Sequence, residues 1–146
     1  MATRIRRPET VTIAISGGDS IVVKKFLTAG EFRELIRCAT RPIKLNAESA
    51  ARNMEFEIDP SESGLATVLA YLLDWTFTDF DGRPIVIRGE PRDVVRAILD
   101  SLDAGSYMEI QSAIQAHDET MRLFLAAEKK MTFGSKQPDP ILQSVG

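Results

Sequence analysis

Residues 60–77, PSESGLATVLAYLLDWTF, spread apolar side chains around so much of a helix that no single neighbour could cover them. Leu65, Leu69, Leu72 and Trp75 with Thr76 share one face, and Ala66, Ala70, Leu73 and Phe77 take the next. A helix apolar on that much of its circumference is central, and the rest of the chain must pack around it. Asp59-Pro60-Ser61-Glu62 reads as its entrance, with Pro60 or Ser61 in the first turn. The spacing predicts that it runs to about Asp74–Phe77. Burying each large side chain stabilises by about 1.5–3 kcal/mol before lost conformational entropy is set against it. Leu69, Leu72 and Trp75 are thus the expected hub of the fold. Asp81-Gly82 is the turn by which the chain leaves it.

The flanking sequence supplies what would pack there. Val11–Ser16 alternates apolar and polar residues, Ile21–Phe26 is a second β-rich run, and Gly17-Gly18-Asp19 between them has turn chemistry. The reading is a β-hairpin, which is marginal in water unless it packs on something. Thr28 with Glu31 forms a capping-box pattern for a helix from about Ala29, whose apolar stripe is Phe32, Leu35, Ile36 and Ala39 and which Pro42 ends. Asn46–Asn53 reads as a short helical turn, and Met54–Ile58 alternates as a third strand would. After the Asp81-Gly82 turn, Pro84–Arg88 is an edge-strand candidate with proline at its start. A helix from about Pro91 to Asp103 follows, with Val94, Val95, Ile98, Leu99 and Leu102 on one side. Ala104-Gly105-Ser106 breaks it, and a last helix runs from about Ser106 to Lys130.

In that last helix Tyr107, Ile110, Ile114, His117, Met121 and Phe124 recur at alternating spacings of three and four. This is the seam of a helix lying along another helix or another subunit, although under three heptads make no coiled coil. The fold class expected is α+β: an N-terminal hairpin, or three strands, followed by a mainly helical body of about four helices. Residues 10–133 form one domain, between a flexible basic N-terminus (1–9) and a flexible C-terminal tail (134–146). A chain of 146 residues suits one core better than two.

The residues present exclude more chemistry than they suggest. A formal charge of −3 gives no electrostatic reason to expect nucleic acid as a partner, and Arg4, Arg6 and Arg7 read as a solvated tail. No apolar run approaches the ~20 residues of a membrane span. No hydrophobic signal segment follows the N-terminal arginines, so the chain is expected to stay where it is made. Cys38 is the sole cysteine, which allows no internal disulfide and suits a reducing cytoplasm; its place beside apolar positions makes it structural. His117, the sole histidine, stands on the seam with no nucleophile placed by a motif, and reads as a packed or interface residue. Gly17-Gly18 lacks the Lys-Ser/Thr and helix start of a phosphate loop. Asp79 and Asp81 beside the turn are suited to local backbone hydrogen bonds. Tyr71, Trp75, Phe77 and Phe80 concentrate aromatic surface that would serve either the core or recognition. No metal-ligand spacing and no cofactor motif is visible, and no enzyme is expected.

Three segments together, LTAGEFRELI (27–36), LAYLLDWTFTDFDGRPIVI (69–87) and YMEIQSAIQAHDETMRLFLAAEKK (107–130), resemble the tail assembly chaperones of long-tailed, siphophage-type bacteriophages. The likeness spans roughly residues 10–130. It implies a chaperone that binds the long helical tape measure protein and keeps it soluble while tail-tube subunits assemble around it. It also implies residence in the host cytoplasm and absence from the finished virion. Members are often made in a longer form by programmed frameshifting, which recruits tube protein. Glu128-Lys129-Lys130 is compatible with an A-rich slippery site, and the 134–146 tail is then what the longer product replaces. The partner surface expected on that reading is Met121, Leu123, Phe124 and Leu125, serving the tape measure protein or self-association. The alternative for these residues is packing on the central helix. The alternative function is a structural tail protein, a connector or tube-associated component, which would remain in the virion.

Overall fold

The computed structural model describes residues 4–42, 56–58 and 60–134. Strand β1 (Thr10–Ala14) and strand β2 (Ser20–Lys24) pair antiparallel in unbroken register, from Thr10 opposite Lys24 to Ala14 opposite Ser20. The hairpin expected from the alternation is therefore present. Its connection is a single 3-10 turn, Ser16–Gly18, in which both glycines take positive φ. Helix α1 (Ala29–Ala39) opens with the reciprocal capping box: Glu31 N–H donates to Thr28 Oγ1 at 3.1 Å, and Thr28 N–H donates to Glu31 Oε1 at 2.9 Å. Leu35 and Ala39 of its apolar stripe are buried, whereas Phe32 and Ile36 are each 44% exposed. Half of that stripe thus faces outward.

Two short strands, β3 (Thr40–Pro42) and β4 (Phe56–Ile58), pair antiparallel with each other. Of the strand expected at Met54–Ile58, Phe56–Ile58 is present and does not join the hairpin, while Met54 and Glu55 lie outside the described residues. Asn46–Asn53 lies outside the described residues, as does the tail from residue 135 onward.

The central helix, α2 (Pro60–Tyr71), is shorter than the spacing predicted. At Leu72 the chain becomes strand β5 (Leu72–Trp75), which pairs antiparallel with β2 to give a three-stranded sheet in the order β1-β2-β5. The reason is the open edge of β2. Ile21 and Val23 are wholly buried, and their neighbours across the sheet are Trp75 and Leu72. In a regular strand two residues three apart point to opposite faces. Here the register shifts between Val22 and Val23, leaving Leu73 as an extra residue, and this bulge lets Leu72 and Trp75 both turn inward. Four residues from the helix end therefore complete the sheet that the hairpin alone could not sustain.

Beyond β5 the Asp81-Gly82 turn forms as expected. Asp79 N–H donates to Arg83 O, Gly82 N–H donates to Asp79 O, and Asp79 Oδ1 accepts from Asp81 N–H and Arg83 N–H. Gly82 has φ of 78°, a conformation glycine adopts without penalty. The edge strand expected at Pro84–Arg88 does not form: one isolated bridge joins Thr78 to Pro84, and Ile85 N–H donates to Phe77 O. Ile87 is buried and Val86 is exposed, so the alternation is real, but a turn through Gly89 ends the pairing.

Helix α3 (Arg92–Asp100) buries Val95 and Leu99, half-buries Ile98 and leaves Val94 partly exposed. The break after it falls at Ser101–Asp103, earlier than the glycine suggested. Asp103 caps the next helix, accepting from Ser106 N–H at 2.9 Å and Ser106 Oγ at 2.7 Å. That helix, α4 (Ala104–Gly134), is the longest element. One core joins all these parts, from Ile21 and Val23 through Leu35, Leu65, Val68 and Tyr71 to Leu99, Ile110 and Ile114. The class is α+β, with four helices among the described residues.

Candidate protein-binding site

A 12-residue helix such as α2 extends about 18 Å and a 31-residue helix such as α4 about 46 Å, at about 1.5 Å per residue. The body can therefore cover only part of α4. Its covered part is held at three points. Near the start, Glu109 Oε1 accepts from both Ser16 N–H and Ser16 Oγ, fixing the hairpin turn to the helix. In the middle, Ile110 and Ile114 are wholly buried. At the far end stands a polar clasp. His117 Nε2 lies 2.9 Å from Lys24 O and 3.2 Å from Lys25 O, so that nitrogen carries the proton and donates to the end of β2. The His117 ring meets Tyr71 edge-on at 5.6 Å, and the Tyr71 hydroxyl donates to Asp118 Oδ1 at 2.5 Å. Burial, then this hydrogen bond and the negative charge of Asp118, push the Tyr71 hydroxyl above the usual tyrosine range. His117 is thus a packed residue joining sheet, α2 and α4.

Past Asp118 the helix emerges. From Glu119 to Lys130 only Met121 and Glu128 are even half-buried. The apolar seam nevertheless continues: on a 3.6-residue helix, Met121, Phe124 and Leu125 follow the line of Ile110, Ile114 and His117. Leu125 is 38% exposed and Phe124 50%. Leu123, 66% exposed, lies on the opposite side of the helix from Leu125. Three of the four residues expected to bind a partner therefore share a face, and the fourth does not.

Phe124 is flanked by a groove of about 340 Å³ lined by Ile5, Arg6, Arg7, Glu9, Lys25 and Phe26. The Phe26 and Phe124 rings stand 6.3 Å apart, the Arg6 guanidinium lies 4.7 Å over Phe26, and the Lys25 ammonium is 5.4 Å from the same ring. Arg6 also pairs with Glu128 at 2.9 Å, and Lys25 with Glu9 at 3.1 Å. The N-terminal segment read as a solvated tail therefore touches the emergent helix through Arg6. Phe32, exposed on α1, has Arg122 of α4 at 5.9 Å from its ring. Sequence reasoning missed Arg6 and Phe26. Their only signal was position: Phe26 is the last residue of the β-rich run Ile21–Phe26, which ends beside Phe124 of α4.

The remaining candidates lie elsewhere. Trp75 is buried, stacked on Phe77 at 4.8 Å and donating from Nε1 to Ile85 O at 2.8 Å. It ties the Asp81-Gly82 loop back onto the sheet. Phe80 stands alone at the loop tip, 98% exposed, so the aromatic concentration read from the sequence is divided among three places. Leu69 is half-buried against the core and Leu72 is buried. Cys38 is half-buried, with Sγ 3.7 Å from Glu34 Oε1. Among the described residues no group of three or more His, Cys, Asp or Glu side chains is placed to hold a metal ion, and no helix is long and apolar enough to cross a membrane. Comparison with protein-family models, curated proteins and solved structures gave no match for this chain.

Proposed function

We propose that this chain is a non-enzymatic chaperone of phage tail assembly that binds the tape measure protein and keeps it soluble while tail-tube subunits assemble around it. The observation that carries the reading is the emergent half of α4, where Met121, Phe124 and Leu125 prolong a buried seam into an exposed one. A tape measure protein offers long amphipathic helices, and an apolar helix face is what such a partner can lie against. Methionine at position 121 suits a surface that must accept varied apolar faces along one partner. The likeness of residues 27–36, 69–87 and 107–130 to this family supports the same reading. The work takes place in the host cytoplasm, and a frameshifted longer form recruits the tube protein.

The test is co-expression with a helical fragment of the tape measure protein from the same genome. The expected result is that the fragment becomes soluble and co-purifies with the chain. If it stays insoluble, the reading fails. Mass spectrometry of purified virions separates the alternative, because a structural tail protein would be retained there and a chaperone would not.

A further inference from the structure

The emergent half of α4 has cations along both borders. On one side, the helical neighbours of Leu125 at i−3 and i+4 are Arg122 and Lys129, both exposed. On the other, beyond Phe124, lies the groove of the N-terminal segment, whose walls carry Arg6, Arg7 and Lys25 against the one carboxylate of Glu9. The carboxylates near the seam are already engaged. Asp118 pairs with Arg122 at 3.1 Å and accepts from Tyr71, Glu128 pairs with Arg6, and Glu9 with Lys25. Glu119 is two residues from Met121 and so lies on the far side of the helix. Arg7 and Lys129 are exposed and form no ion pair among the described residues, which leaves each border with unmatched positive charge. The whole chain has a formal charge of −3, so the sign is reversed here.

We infer that the helix received by this seam is an acidic one, with Asp or Glu beside its apolar stripe where it meets Arg7 on one border and Lys129 on the other. The inference rests on the reading of Met121, Phe124 and Leu125 as the contact face and adds the chemistry of what lies on it. An apolar face alone accepts many helices; charges along its borders set orientation and reject helices of like charge. Such rim pairs each add little affinity in water, so their work is selection. One side chain of the partner's stripe enters the groove beside Phe26 and Phe124, whose rings stand 6.3 Å apart. Nucleic acid, the other polyanion these borders could attract, has no apolar stripe with which to cover Met121 and Leu125.

The experiment measures binding of the full chain, by fluorescence anisotropy at low salt, to three labelled peptides of about 20 residues, long enough to hold a helix. All three share one leucine stripe and differ in the residues beside it, which are Glu, Gln or Lys. A labelled oligothymidylate is the fourth probe. The Glu peptide should bind most tightly and the Lys peptide least, about tenfold or more apart, and they should converge at about 1 M salt, where the screening length falls to about 3 Å. The net charge of the chain would draw in the Lys peptide instead, so this order can come only from the local surface. Arg7→Glu combined with Lys129→Glu, at two exposed positions, should leave the circular dichroism spectrum unchanged and invert the order. A preference for the Glu peptide upholds the inference even where the tape measure fragment stays insoluble. If the Gln peptide binds and the Glu peptide binds no more tightly, or if the double variant keeps the parent's order, the inference is overturned and the contact face stands. If no peptide binds, both fall. Tighter binding of the oligothymidylate than of any peptide also overturns it.

Discussion

Leu123 and Leu125 stand two residues apart on the emergent half of α4, and the fold gives them opposite roles. On a helix of 3.6 residues per turn they point about 160° apart. Leu125 continues the seam and is 38% exposed, while Leu123 faces away from it and is 66% exposed. If full burial of a leucine stabilises by about 1.5–3 kcal/mol, the shielded part of Leu125 contributes about 1–2 kcal/mol and that of Leu123 about 0.5–1 kcal/mol. Glutamate is nearly as good a helix former as leucine, so Leu→Glu at either site tests the side chain and not the backbone. For a chain of this size these losses correspond to Tm decreases of about 3–7 °C and about 2–3 °C. Both variants should therefore fold cooperatively, as followed by circular dichroism at 222 nm. Their effects on the partner should diverge. Leu125→Glu places a charge in the apolar contact and should abolish solubilisation of the tape measure fragment; Leu123→Glu should leave it intact. Equal loss in both would show that the seam is not the contact face. Full retention in both would remove the emergent half of α4 from the interaction altogether.

Three further outcomes follow from the packing. Ile114→Ala opens a cavity where the side chain is wholly buried and should destabilise by about 2–5 kcal/mol in urea unfolding, in contrast to the seam residues seven or more positions further on. Thr28→Ala removes one half of the capping box and should cost about 0.5–2 kcal/mol by the same measurement. Tyr71 should make stability fall at high pH. Its hydroxyl titrates above the unfolded value of about 10, so its contribution is fully present below pH 10 and is lost as pH rises through the folded value. Tyr107 shifts in the same direction, so Tyr71→Phe should flatten the decline in Tm between pH 9 and 11 without eliminating it.

The local devices were legible in the sequence because each is complete within a few residues. The Thr28–Glu31 box, the two-strand alternation around Gly17-Gly18 and the Asp79–Arg83 turn each need no distant partner to be recognised. The misread elements are those decided by distant partners. Leu72–Trp75 carries a run that suits a helix or a buried strand equally well, and periodicity cannot separate the two over four residues. What decides it is the bare edge of β2, about fifty positions earlier, with Ile21 and Val23 needing cover. Pro84–Arg88 shows the converse. Its alternation is sound and Ile87 does point inward, but among the described residues no further strand lies beside it to complete a ladder.

The same distinction explains how much of the candidate site could be foreseen. The continuity of the seam from Tyr107 to Phe124 is a property of spacing, and the sequence displays it directly. Where burial stops along that seam is a property of the body's size. Because the central helix gives up Leu72–Trp75 to the sheet, it is left with 12 residues, and α4 outruns it. His117 marks the boundary: it is the last buried residue of α4 among the described residues, hydrogen-bonded to the carbonyls of Lys24 and Lys25 where β2 ends. Beyond it, Met121, Phe124 and Leu125 keep the pattern of core residues without a core to enter. The strand that completes the sheet is thus the reason an apolar helix face is left uncovered by the body.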